Sequence, residues 1–245
     1  MKLLTFYTKT HADMYDKYFF PTYNKYLSKD FTIDSIYIDT DRDPVWGTSG
    51  FYKTVSDKIP IILNKLSQMK EGECLLFSDV DIIFLNPIKD LLVKEMGDND
   101  ILFSDDKGKI CTGFIFMKNN DKVRRFFKNI QKNYSMNWGD QRNTRMFVRY
   151  HETDVKYKLF SSKFFNIPMM SYLGKDKNFV KDTSDWKLKE VSSKKDDMYI
   201  KLFAREMKTF LDTIVMFHAN YLVSIAEKEK WLKIVLKEFN RNTLQ

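Results

Sequence analysis

Glycine is scarce in this sequence, with eight glycines in 245 residues. The chain contains neither the Gly-x-x-x-x-Gly-Lys-Ser/Thr pattern of a P-loop nor the Gly-x-Gly-x-x-Gly pattern of a dinucleotide-binding turn. A glycine-rich loop that cradles phosphate is therefore excluded. A bound diphosphate would need another source of positive charge, and a metal ion held by carboxylates can supply it.

Cysteine is rarer still, and Cys74 and Cys111 are the only two. Both lie in apolar, strand-like runs, so we expect buried free thiols rather than a disulfide or a metal site. Long hydrophobic runs are also missing, because the first apolar run, residues 3–7, is far too short for a signal peptide or a membrane-spanning helix. These features together predict a soluble, cytoplasmic protein.

The basic residues are in excess but dispersed. A net charge of +8 and a pI near 9.2 favour polyanionic partners, namely nucleic acid, an acidic membrane surface or a small phosphorylated substrate. The densest basic stretches, residues 122–125 and 187–195, are short and interrupted, which is typical of solvated surfaces. No nucleic-acid binding is expected, because it needs a clustered basic face with stacking aromatic residues.

Short apolar runs alternate with longer periodic ones, a pattern that predicts one α/β domain with a mostly parallel sheet. The predicted strands are residues 2–8, 33–39, 74–79, 100–104, 113–118 and 214–217. The predicted helices are residues 13–27 (one helix, or two short ones around Pro21), 56–69, 120–132, 139–150 and 225–239. The polar residues 174–197 are predicted to form a long loop.

Residues 77–87, Phe-Ser-Asp-Val-Asp-Ile-Ile-Phe-Leu-Asn-Pro, are the most informative. The continuous apolar run before Asp79 is typical of a central parallel strand, and ligands bind at the carboxyl ends of such strands. Asp79 and Asp81 should face the surface on one side while Val80 points inward, because side chains alternate along an extended chain. The two carboxylates repel unless a hard cation such as Mg²⁺ or Mn²⁺ lies between them. The alternative is a polar strand end without a ligand.

This stretch resembles the metal-binding motif of the nucleotide-diphospho-sugar transferases of the GT-A fold, especially the retaining group. Four further segments resemble family motifs in the same order: residues 56–60 (Ser-Asp-Lys-Ile-Pro), 112–116 (Thr-Gly-Phe-Ile-Phe), 138–141 (Trp-Gly-Asp-Gln) and 218–221 (His-Ala-Asn-Tyr). The resemblance implies a Rossmann-like GT-A domain with a mostly parallel sheet flanked by helices. Residues 1–118 would form the nucleotide-sugar and metal-binding half, and residues 119–245 the acceptor half and C-terminal helix.

The resemblance also implies roles for individual residues. Asp79, Asp81 and His218 would bind Mn²⁺ or Mg²⁺, which holds the donor diphosphate, although His218 could instead be a core histidine. With an ordinary pKa, that histidine would release the metal on protonation near pH ~6. The other residues expected to contact the donor are Phe6, Tyr7 and Thr8 at the base, Lys58 at the sugar or phosphates, Val80, Thr112 and Gly113, and either Lys228 or Lys230 near the phosphates.

The same resemblance names Asp140, Gln141 and Lys58 as catalytic residues. Asp140 and Gln141 would line the sugar pocket, with Asp140 as a stabilising group or transient nucleophile. The plainer alternative for Lys58 is a solvent-exposed lysine at the start of a helix. For Asp140 it is an acid that the helix dipole favours. Many relatives carry Asn where Cys111 stands, so Thr112 would supply that contact to the sugar.

The expected reaction is metal-dependent transfer of a sugar from a nucleotide-diphospho-sugar, such as a UDP-sugar, to a hydroxyl of a glycan, protein or lipid, with retention. One alternative is a non-catalytic module that binds a sugar nucleotide or nucleic acid. Another is a phosphohydrolase of the haloacid dehalogenase type, whose Asp-x-Asp lies on the first strand. The amphipathic helix at residues 225–239 can pack on the sheet or make peripheral membrane contact, and its glutamates favour core packing.

Overall fold

The structure is a computed structural model that describes residues 1–42, 47–106, 108–160, 165–166, 214–220, 222 and 224–243. The loop predicted at residues 174–197 lies outside this range. The described strands are β1 (Lys2–Thr8), β2 (Thr32–Ile38), β3 (Cys74–Ser78), β4 (Ile82–Phe84), β5 (Ile101–Asp105), β6 (Ile110–Lys118), β7 (Tyr157–Leu159), β8 (Phe165–Asn166) and β9 (Met216–His218). The described α-helices are α1 (Ala12–Met14), α2 (Phe20–Tyr26), α3 (Ser49–Ser56), α4 (Lys58–Ser67), α5 (Lys89–Met96), α6 (Asp121–Lys132), α7 (Asp140–Tyr150) and α8 (Ile225–Thr243).

A six-stranded sheet in the order β2-β1-β3-β6-β5-β7 forms the centre of the domain. The β1–β2, β1–β3 and β5–β7 pairs are parallel, whereas β6 is antiparallel to both of its neighbours. Among the described strands of this sheet, five therefore run in one direction and β6 is reversed. The prediction of a mostly parallel sheet with flanking helices is confirmed.

The continuous apolar strands are buried on both faces, as their composition predicted. Successive residues of β3 enter different clusters: Leu76 packs with Phe116 on one face, and Leu75 packs with Met117 on the other. The first face is covered by the segment around α2 and by α5, and the second by α4, α6 and α7. This double cover fixes the direction in which the end of β3 presents its polar residues.

The helical predictions are correct in place but incomplete in detail. The helix predicted at residues 13–27 is irregular, with α1, a π-helical turn (Tyr15–Phe19) and α2 in succession. The helix α5 was not predicted. The helix predicted at residues 56–69 corresponds to α4, and α3 before it was missed because it contains Gly50, Thr54 and Val55, which have low helix propensity. The N-cap of α3 was a usable signal, since Thr48 Oγ1 accepts a hydrogen bond from the Phe51 N–H at 3.1 Å.

A small second sheet in the order β4-β9-β8 lies beside the first. The apolar stripe of α8 packs against it, with Trp231, Leu232 and Val235 buried in one cluster with Ile83 and Phe217. The expectation that this helix packs on the core is confirmed. No helix among the described residues is long and apolar enough to cross a bilayer. The two cysteines are free thiols, as expected, although Cys74 is only half-buried.

Replacing Trp231 by Ala should destabilise the protein by about 3–5 kcal/mol, because a large buried ring is lost and a cavity remains. Chemical denaturation followed by circular dichroism measures this change. Lys233→Ala, at an exposed position on the same helix, is the matched control and should change stability by less than about 0.5 kcal/mol. A Trp231→Ala protein that unfolds like wild type but no longer binds anionic liposomes would contradict core packing.

Candidate functional site

Three metal-ligating side chains meet where β3 ends. One ligand atom from each of Asp79, Asp81 and His218 lies within 4.8 Å of the other two. Asp79 follows β3 directly, and Asp81 precedes β4. The structure therefore brings together the two carboxylates and the histidine that the motifs pointed to.

Backbone ladders explain why these distant residues meet. The Asp79 N–H donates to the Gly113 carbonyl at 2.8 Å, which extends the β3–β6 ladder by one step. In the small sheet, Ile82 is paired with His218, and the Ala219 N–H donates to the Asp81 carbonyl at 2.8 Å. The motif is thus held by β6 on one side and by β9 on the other.

Position 113 requires glycine because the side chains of His218 and Asp79 lie very close to its backbone. A Cβ at this position would lie 2.4 Å from His218 Cε1 and 3.0 Å from Asp79 Oδ2, both shorter than ordinary contacts. The hydrogen of glycine is the only side chain that leaves room for both groups. The Thr-Gly-Phe segment therefore forms the floor of the three-residue cluster.

Lys58 is a buried cation that joins Asp79 to Asp140. Its Nζ lies 3.0 Å from Asp79 Oδ1 and 2.5 Å from Asp140 Oδ2, and it donates to the Thr112 carbonyl at 3.2 Å. Only 3% of the Lys58 side chain is exposed, so the prediction's plainer alternative, a solvated lysine, is wrong. Burial lowers the pKa of Lys58, but Asp140 and Asp79 raise it by more, which keeps the amine charged.

Asp81 is more enclosed than Asp79. The exposed fraction of the side chain is 9% for Asp81 and 31% for Asp79, so the expectation that both face the surface is wrong for Asp81. The β4–β9 pairing and α8 cover it. The Lys228 amine donates to Asp81 Oδ2 at 2.7 Å, and His218 Nε2 lies 3.2 Å from Asp81 Oδ1.

These charges shift the pKa values of the cluster in opposite directions. Burial raises the pKa of Asp81, but Lys228 and His218 lower it well below its usual range. Burial lowers the pKa of His218, but Asp81 raises it to about 10, so the expectation of protonation near pH ~6 is wrong without a metal. Burial and Asp81 raise the pKa of Asp79, and Lys58 opposes them.

The donor set fits a divalent cation. Among the described residues, Asp81 Oδ1 and His218 Nδ1 are buried without a hydrogen-bond partner, although His218 Nε2 lies 3.2 Å from Asp81 Oδ1. A buried carboxylate oxygen without a partner is costly, and a cation would satisfy it. Two carboxylates suit Mg²⁺ or Mn²⁺, and the imidazole is more compatible with Mn²⁺.

A cleft opens beside Asp79 and Asp81. Its walls include Phe6, Tyr7 and Thr8 at the end of β1, which were expected at the base, together with Lys58 and Val80. Five other lining residues were not predicted from the sequence: His11, Arg42, Phe51, Thr54 and Val55. Of the two lysines expected near the phosphates, Lys228 lines the cleft.

His11 is the most notable of the missed residues. Its Nδ1 lies 3.1 Å from both Thr8 Oγ1 and Thr10 Oγ1. Burial, helped by Lys228, lowers the pKa of His11 to about 4, so its ring is neutral at physiological pH. Because histidine is rare in this chain, its place three residues after a predicted strand was a usable signal.

Asp140 and Gln141 are held by protein partners. The Asp140 carboxylate pairs with Lys58 and accepts a hydrogen bond from Thr112 Oγ1 at 2.7 Å, and the residue is buried. The Gln141 amide donates to Asp106 Oδ2 at 3.2 Å, and Asp106 also pairs with Arg145. In the described part of the chain, the residues that line the cleft do not include Asp140, Gln141, Thr112 or Gly113.

Comparison with known proteins identifies the family and the fold. The sequence profile of the nucleotide-diphospho-sugar transferases matches residues 21–232. The apo-form glycosyltransferase GlyE of Streptococcus pneumoniae TIGR4 has a TM-score of 0.55 at 9% identity, over 98% of this chain but 62% of its own. A glycosyltransferase involved in glycosylation of the major capsid of PBCV-1 has a TM-score of 0.55 at 11% identity, over 95% of this chain and 98% of its own. At these identities the likeness shows a shared fold. No curated protein matches the sequence.

Gly113→Ala should displace His218 and Asp79 and weaken Mn²⁺ binding by about tenfold or more, because the added methyl group occupies their space. Titration of Mn²⁺ followed by electron paramagnetic resonance measures the affinity. Gly139→Ala is the matched control, since its Cβ would lie 4.0 Å from the nearest atoms, on Phe51 and Val55. Equal Mn²⁺ affinities for the Gly113 variant and wild type would contradict the packing argument.

Proposed function

Because the chain belongs to the nucleotide-diphospho-sugar transferase family, we propose that it transfers a sugar from such a donor to a hydroxyl acceptor with the help of a divalent cation. The observation that carries the proposal is the meeting of Asp79, Asp81 and His218 at the edge of a cleft. These residues would hold Mn²⁺ or Mg²⁺. The bound ion would stabilise the negative charge that develops on the departing diphosphate.

The other site residues then divide into two groups. Phe6, Tyr7, Thr8 and His11 would contact the nucleoside, and Lys228 would contact the phosphates, because these residues line the cleft beside the carboxylates. We propose a UDP-sugar as donor and retention of configuration by analogy with the retaining group. The acceptor would be a hydroxyl of a glycan, protein or lipid.

The contacts of Asp140 favour an electrostatic role over a nucleophilic one. Its carboxylate is buried between Lys58 and Thr112, so it has no free approach to a donor sugar. We propose that Asp140 fixes Lys58, which in turn fixes Asp79. The amide nitrogen of Gln141 is bound to Asp106, and its amide oxygen would contact the sugar.

The rival functions have less support. In a haloacid dehalogenase-type phosphohydrolase the Asp-x-Asp would lie on the first strand, whereas here it follows β3. A module that binds the donor without transferring the sugar would keep the same cleft. Only an activity measurement separates that module from an enzyme.

The wild-type protein should release nucleoside diphosphate from a mixture of sugar nucleotides when Mn²⁺ is present, and should lose this activity with a chelator. Asp79→Asn and Asp81→Asn should reduce release by at least ~100-fold, because each removes a charged ligand from the cation. Asn replaces Asp without a change in size, which limits damage to the buried Asp81 site. Asp34→Asn, whose partner Lys65 lies outside the cleft lining, is the control. Undiminished release by both variants in metal-free buffer would refute the proposal.

Metal binding should release about one proton at neutral pH, because His218 is protonated below a pKa of about 10 and must lose its proton to bind a cation. Mn²⁺ affinity should accordingly rise as pH increases from about 6 towards about 9. Calorimetric titration in two buffers with different ionisation enthalpies measures the proton count. His218→Gln should bind Mn²⁺ more weakly and without this proton. If wild type and variant release the same number of protons, His218 is not a ligand of the metal.

A further inference from the structure

Lys228 and the metal site share one carboxylate. The Lys228 amine lies 2.7 Å from Asp81 Oδ2, while Asp81 Oδ1 faces His218 and has no aligned donor among the described residues. One oxygen of Asp81 is thus neutralised by a lysine of the chain, and the other is directed into the cluster. Lys228 is also part of the cleft wall, with 20% of its side chain exposed.

The backbone of Lys228 is fixed, so only its side chain is free to move. Ser224 and Glu227 form a reciprocal cap, in which the Glu227 N–H donates to Ser224 Oγ at 3.2 Å and the Ser224 N–H donates to the Glu227 carboxylate at 3.4 Å. One turn later, the buried Trp231 and Leu232 anchor the helix to the small sheet. A change of partner by Lys228 therefore requires no movement of α8.

The two lysines at the site differ in their freedom. Lys58 is surrounded by Asp79, Asp140 and the Thr112 carbonyl and is almost fully buried. Among the described residues, Lys228 has one carboxylate partner, and its amine lies at the edge of the cleft on a flexible four-carbon stem. A divalent cation among Asp79, Asp81 and His218 would repel both amines. The Lys228 amine is the one that can move away, because it borders the cleft.

We propose that Lys228 serves as a substitute cation on Asp81 when the metal is absent, and that metal binding displaces its amine into the cleft, where the donor phosphates bind. The inference rests on the proposed function and adds a binding order to it. The metal enters first and frees Lys228, and the nucleoside diphosphate then binds a site with both positive charges in place. Metal and nucleotide affinities are thereby coupled, and the coupling is reciprocal.

The test compares Mn²⁺ and UDP binding by the full chain and its Lys228→Met variant. Without nucleotide, Lys228→Met should bind Mn²⁺ about tenfold more tightly than wild type, because the competing charge is gone. With saturating Mn²⁺, the same variant should bind UDP about tenfold more weakly, because a phosphate contact is lost. Electron paramagnetic resonance measures the first affinity and calorimetry the second. Opposite changes in the two affinities are the signature, since general damage to the site would weaken both.

Two further variants separate charge from position. Lys233→Met removes an exposed charge from the same helix and should leave both affinities at wild-type values. Lys228→Arg keeps the charge and should retain the weaker, wild-type Mn²⁺ affinity. A Lys228→Met protein with unchanged or weaker Mn²⁺ binding overturns the inference and leaves the metal site intact. If Lys228→Met binds Mn²⁺ more tightly but binds UDP as wild type does, the proposed movement of the Lys228 amine towards the phosphates is overturned. A folded wild type that binds no Mn²⁺ overturns the proposed metal site and this inference with it.

Discussion

The repulsion between Asp79 and Asp81 is the constraint on which the rest of the site depends. Two carboxylates at a largely enclosed strand end are unfavourable unless positive charge lies close to each. The chain supplies that charge from three directions: Lys58 at Asp79, and Lys228 and His218 at Asp81. These cations therefore offset the repulsion between the two carboxylates in the folded protein, and they must themselves be buried beside the pair.

These ion pairs also connect elements that the sheet alone leaves separate. Lys58 begins α4 and contacts Asp140, the first residue of α7, as well as the Thr112 carbonyl on β6. Lys228 joins the first turn of α8 to the loop before β4. The same contacts thus balance the charge of the site and hold its helices in place. Removing one partner leaves an uncompensated buried charge, which is more harmful than losing a surface pair.

The sequence was sufficient to predict the parts of the site that depend on local pattern. The apolar run before Asp79 predicted a buried central strand, and β3 lies between β1 and β6 with both faces covered. His218 was found through its motif, and the structure brings it to the carboxylates.

The partners of charged side chains were not predictable in this way. Nothing in the spacing of Asp140 indicated that Lys58 and Thr112 would enclose it, or that Asp81 would be the more buried aspartate. Such contacts depend on the packing of elements far apart in sequence, which periodicity does not encode. The raised pKa of His218 has the same origin, because it depends on a carboxylate that only the β4–β9 pairing brings close.

The short β4–β9 ladder has a consequence for how this protein can diverge. Side chains alternate between the two faces of a strand, so a slip of one residue between Ile82 and His218 would turn the imidazole away from Asp81. The pairing itself fixes this register, and the chain that joins β4 to β9 does not. Loops between the two strands can therefore change in length without altering this register, as long as β6 and α7 keep Gly113 and Asp140 in place.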